Sequence, residues 1–143
     1  HEGLDGKFNT LALENLKQVI NRFPNSEYAK DSHQKIILVK SNIAAKHMKI
    51  GRFYQKANKY TAALNRYKIV INDFSETKFT PEALYRISEI YYSIGMVSEA
   101  TDTAAILGYN YPQSEWYEFS YKNLVKEENS NIFSNSINKI FNK

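Results

Sequence analysis

The chain has 143 residues, 43% of them hydrophobic and 24% charged, with a net charge of +4, the balance of one globular domain. It has no cysteine, which excludes disulfides, thiolate zinc sites and cysteine nucleophiles and leaves the redox compartment open. Apolar runs such as Ile36 to Val39 and Ala104 to Leu107 fall far short of the roughly 20 residues that span a bilayer, and no basic segment followed by an apolar one marks a signal peptide. The 19 basic residues are interspersed with 15 acidic ones, without an arginine-rich run or a zinc-finger or RNA-binding signature, so no nucleic-acid partner is expected. The first residue is His1 rather than Met, as expected of a fragment or a processed form.

In chain order, Asn9-Thr10 offers N-caps for a helix over about 10–23, through Leu11, Leu13, Leu16, Val19, Ile20 and Phe23, closed by Phe23-Pro24-Asn25-Ser26. A long helix over about 28–57 follows, because Ile36, Val39, Ile43, His47, Ile50 and Tyr54 keep steps of three and four and no Gly or Pro intervenes before Gly51. Asn58-Lys59-Tyr60 makes a turn into a helix over 61–74 carrying Ala63, Tyr67 and Val70. Thr80 is the expected N-cap of the next helix, with Pro81 in its first position. That helix carries Leu84, Ile87, Ser88 and Tyr91. Gly95 makes its turn, and a helix over about 98–110 carries Ala100, Ala104 and Leu107 before Pro112. Ser114 caps a last helix over 114–126, through Trp116, Phe119, Tyr121, Leu124 and Val125. Residues 127–143 form a polar, Asn-rich tail in which Ile132, Phe133, Ile137, Ile140 and Phe141 keep helical spacing, as in a weak amphipathic helix that needs a partner, or a disordered segment.

The segment from Ala12 to Phe23 recurs from Ala63 to Phe74, sharing Ala, Leu, Lys, Val, Ile, Asn and Phe in register, and Tyr111-Pro112-Gln113-Ser114 echoes Phe23-Pro24-Asn25-Ser26. The stretch from Pro81 to Pro112 resembles the tetratricopeptide repeat, in which small residues let two antiparallel helices cross closely. The expected fold is an all-α tetratricopeptide solenoid, a right-handed stack of antiparallel helix hairpins over 1–126, with one over-long helix. In it Tyr54, Ala63, Tyr67, Leu84, Ile87, Tyr91 and Ala100 are buried. Ile36 and Ile37 pack on the first helix or on a preceding repeat.

The search for chemistry is negative. His1, His33 and His47 are scattered without metal-ligand spacing, and no phosphate-binding glycine loop or nucleophile elbow occurs, so neither metal, cofactor nor enzymatic activity is expected.

A narrower resemblance rests on the order of Phe23-Pro24-Asn25-Ser26-Glu27-Tyr28, the long helix with Lys35 to Lys40 and Asn42-Ile43-Ala44, the block Gly51-Arg52-Phe53-Tyr54-Gln55-Lys56, then Tyr60 to Tyr67 and Pro81-Glu82-Ala83-Leu84. Over about residues 7–126 this resembles the C-terminal part of BamD-type outer-membrane protein assembly lipoproteins. The resemblance implies a non-enzymatic scaffold at the periplasmic face of the bacterial outer membrane. Its protein partners are the membrane-proximal POTRA domain of the barrel-forming subunit and other assembly lipoproteins, with membrane attachment only through an N-terminal lipid anchor outside this chain. It implies a role for an Asn-Arg pair, matched here by Asn65 and Arg66, and Arg52 and Lys59 are expected to assist if the turn brings them to the same side. The alternative is another tetratricopeptide adaptor, a periplasmic cell-division coordinator or a co-chaperone. A carboxylate clamp fits poorly, because the corresponding groove positions hold Glu82, Tyr85, Glu89 and Tyr92.

Overall fold

Proline and small polar residues punctuate the chain into helices. The computed structural model describes residues 2–123, with side chains from Gly6 onward, and these residues are helical with no strand among them. They form α1 (Glu2–Arg22), α2 (Glu27–Lys56), α3 (Tyr60–Asp73), α4 (Thr80–Ser93), α5 (Val97–Asn110) and a helical segment, α6, over 115–123. This all-helical arrangement accords with a tetratricopeptide-like fold. Leu124, Val125 and the tail over 127–143 lie outside the described residues. The chain divides into two compact units, 1–83 and 84–143.

In the first unit α1 begins well before the expected caps at Asn9 and Thr10. Thr10 sits in mid-helix, and its hydroxyl donates to the Gly6 carbonyl at 3.0 Å, which satisfies the polar group without ending the helix. Pro24 stops α1. Ser26 then starts α2, its Oγ accepting from the Ala29 amide at 3.1 Å.

α2 runs unbroken for 30 residues, about 45 Å at 1.5 Å per residue. It packs against both α1 and α3. The ridge Ile36, Val39, Ile43, His47, Ile50, Tyr54 is only half-buried, whereas Ala29, Ser32, Ala44, Met48 and Gly51 are buried. Four of these five buried residues are small, which permits close helix approach, and Met48 is the one large side chain among them. At Gly51 the fit is tightest: a Cβ there would lie 2.5 Å from Tyr67 Cε1. Tyr67 is fully buried in the first unit, and its hydroxyl donates to Gln55 Oε1 at 2.8 Å, so the large core aromatic carries a satisfied polar end.

The α2–α3 turn closes through Asn58 at φ 59, with Lys59 N donating to Tyr54 O at 2.9 Å and Asn58 N to Gln55 O at 3.0 Å. This is a Schellman closure, whose left-handed position Asn tolerates. Tyr54, expected in the core, is half-buried, its ring meeting Phe53 edge-on at 5.7 Å. Ile36 is half-buried and Ile37 is exposed, as is Leu38. Beyond α3 the loop is knotted by hydroxyls: Thr77 donates to Phe74 O, and Thr80 donates to Ser75 O at 3.0 Å. Thr80 is therefore the first residue of α4, not its N-cap, because its hydroxyl is turned back to the loop carbonyls. Lys40 of α2 pairs with Glu76 of this loop.

The second unit repeats the closure. Gly95, at φ 82, receives the same pair of bonds, Met96 N to Tyr91 O at 2.9 Å and Gly95 N to Tyr92 O at 3.1 Å. Ser88 Oγ donates to the Ala100 carbonyl at 2.8 Å, which explains why both residues at this crossing are small. Leu84, Ile87, Ile90, Ala100, Ala104 and Leu107 are buried, while Tyr91, expected among them, is half-buried. Ser114 caps α6 by accepting from Trp116 N at 3.2 Å. Gly108 lies against Tyr117 as Gly51 does against Tyr67. The rings of Tyr85, Trp116 and Phe119 cluster at 5.4 to 6.4 Å, and the Arg86 guanidinium covers Tyr85 and Trp116.

Candidate functional site

The four residues singled out in the sequence lie around the α2–α3 hairpin of the first unit, and the geometry divides them. Lys59 is the N-cap residue just before α3, and Arg66 follows seven residues later, two helical turns along, about 10 Å away. Asn65 and Lys59 are exposed and Arg66 is half-buried. Arg52 belongs elsewhere: its Nη1 lies 2.8 Å from Glu82 Oε1, a carboxylate that is itself largely buried. On α2, Arg52 sits about 140° round the axis from His47, the residue that meets Arg66. Within this hairpin Arg52 is thus paired with Glu82, and Arg66 meets His47.

Arg66 forms no ion pair with a carboxylate among the described residues. Its Nη1 lies 3.4 Å from Nδ1 of His47, across the α2–α3 contact. The His47 ring is stacked on Phe74 with centroids 6.0 Å apart and an interplanar angle of 27°. Burial holds the His47 pKa below its ordinary value, the Arg66 cation depresses it further, and Asp73 opposes them. The surroundings thus favour the neutral imidazole. The sequence shows His47 only as one step in the apolar ridge of α2. Its partnership with Arg66 joins positions 19 residues apart, which no helical period links.

The charge around this hairpin is one-sided. α2 carries Lys30, Lys35, Lys40, Lys46, Lys49, Arg52 and Lys56 against only Glu27 and Asp31. Lys35 pairs with Asp31, and Lys40 and Arg52 with Glu76 and Glu82. The outward face near the turn also shows Phe53, 68% exposed, between Lys49 and Lys56. Among the described residues no group of His, Asp and Glu could hold a metal ion, and no helix is long and apolar enough to cross a membrane.

Comparison with known proteins agrees with the resemblance read from the sequence. The family model YfiO, described as outer membrane lipoprotein, matches residues 4–107. The chain is 46% identical over 116 residues to "Outer membrane protein assembly factor BamD" of Rickettsia prowazekii (strain Madrid E), covering 81% of this chain and 46% of that protein. It is 45% identical over 111 residues to the protein of the same name from Caulobacter vibrioides, covering 78% of this chain and 36% of that one. A third, from Haemophilus influenzae, is 30% identical over 99 residues, covering 69% of this chain and 38% of the other. The chain thus spans less than half the length of these curated relatives. With the matched region reaching from α1 into α5, the chain belongs to the YfiO family of outer membrane lipoproteins.

Proposed function

We propose that this chain is a non-enzymatic scaffold segment of the machinery that assembles outer-membrane barrel proteins, working at the periplasmic face of the outer membrane. In this reading residues 1–126 form a tetratricopeptide solenoid with α2 as its over-long helix. Arg66, with Asn65 next to it in the chain and Lys59 two turns away, docks on a carboxylate of the membrane-proximal POTRA domain of the barrel-forming subunit. The names of the relatives support the assembly role. The observation that carries the site is the contrast between two arginines of one hairpin. Arg52 is paired with Glu82, whereas among the described residues Arg66 meets an imidazole and no carboxylate, and it retains guanidinium N–H groups for an acceptor outside the unit. A planar guanidinium binds a carboxylate with two parallel hydrogen bonds, so an arginine without an internal acid suits a docking contact.

The test is Arg66→Glu. Charge reversal should weaken binding to the isolated POTRA domain by about 2–5 kcal/mol, while helix content is kept because Glu forms helix as well as Arg. A reciprocal carboxylate-to-arginine change on the domain should restore the complex. Unaltered binding by Arg66→Glu would refute the site.

A further inference from the structure

We propose that His47 is a positioning residue for Arg66: its imidazole, braced on Phe74, presents a lone pair at Nδ1 that fixes one edge of the guanidinium and leaves the rest for a partner's carboxylate. This inference rests on the docking role proposed for Arg66 and adds what orients it.

The argument begins with the donors. A guanidinium has only N–H groups, so the 3.4 Å approach of Arg66 Nη1 to His47 Nδ1 is attractive only when Nδ1 carries no proton. The neutral ring must therefore carry its hydrogen on Nε2. Burial and the neighbouring cation both favour that neutral form. The ring is also held in place, half-buried on α2 and stacked on Phe74, which ends α3. An arginine with no carboxylate partner among the described residues would otherwise sample many rotamers and lose that freedom on docking. A weak bond to a fixed acceptor meets part of that loss before the partner arrives. The weakness is useful, because a carboxylate in place of the imidazole would neutralise Arg66 as Glu82 does Arg52.

The experiment has two parts, both on the whole chain. The first is a long-range 1H–15N spectrum at pH 7.5, in which His47 should be the Nε2–H tautomer. An Nδ1–H tautomer would overturn the proposal whatever the partner does. The second is a binding cycle with the isolated POTRA domain as probe. His47→Phe keeps a ring against Phe74 but removes the acceptor, and should weaken binding about three- to tenfold. His47→Asn, whose Oδ1 replaces Nδ1, should bind closer to the unaltered chain than His47→Phe does and provides an arm if the Phe variant fails to fold. In an Arg66→Ala background His47→Phe should have no effect. If Arg66→Ala weakens binding but His47→Phe does not, the positioning role is wrong and the docking site stands. If His47→Phe weakens binding equally without Arg66, its role is structural and the proposal fails. If Arg66→Ala has no effect, the docking site falls, and the positioning role with it.

Discussion

Of the two first-unit glycines with described surroundings, Gly51 is the one that cannot take an added atom freely. Its missing side chain is occupied by the ring of Tyr67, which is fully buried and tethered by its hydroxyl to Gln55. Gly51→Ala should gain about 1 kcal/mol of helix propensity. A methyl 2.5 Å from Tyr67 Cε1 should cost about 1–3 kcal/mol of overpacking, since a tethered ring cannot withdraw. We expect net destabilisation and a melting temperature lower by a few degrees. A higher melting temperature would mean that the ring yields. Arg66 stands at the other extreme, where a change should be felt by the partner and hardly by the fold.

Among the elements, α2 is decisive, because one uninterrupted helix carries the packing surfaces for α1 and α3 and the residue that meets Arg66. Asn42, exposed in its middle, makes a clean test of continuity. Asn42→Pro removes one backbone hydrogen bond and sets the ring against the preceding turn, so stability should fall by about 3 kcal/mol with a visible loss of helical circular dichroism. If the proline is tolerated in a denaturant titration, the two halves of α2 behave as separate helices. The turns after α2 and α4 show how different residues reach one geometry. Asn58 and Gly95 occupy the same left-handed place in matching closures. Glycine there announces itself in a sequence, whereas asparagine does so less clearly.

At the scale of the molecule, charge is distributed unevenly. The seven cations of α2 exceed its carboxylates by five, against a net +4 for the entire chain, so the remainder is close to neutral. Such a helix favours encounter with an acidic surface, and exposed lysines act through a field that salt screens. If docking on a POTRA domain uses this hairpin, raising the salt from about 50 mM to about 500 mM should weaken the complex about tenfold, chiefly through slower association. Binding that is indifferent to salt would place the contact on an apolar surface instead.

The sequence by itself determined the helices, their turns and the small residues at their crossings, because those signals act within a few residues: Pro24 stops α1, Gly95 turns the second hairpin, and Ser88 faces Ala100 within one hairpin. It misplaced the start of α1, since a cap competes with continued helix and Thr10 satisfies its hydroxyl inside one. It could not separate a tyrosine in the core from one at its rim, and Tyr67 is enclosed while Tyr54 and Tyr91 are half-buried. Only the tertiary structure decided what becomes of the arginines. Arg52 finds Glu82 30 residues away and Arg66 finds His47 19 residues away, and neither distance corresponds to a helical period. Electrostatic partnership depends on which side chains meet in space, and packing alone selects those meetings.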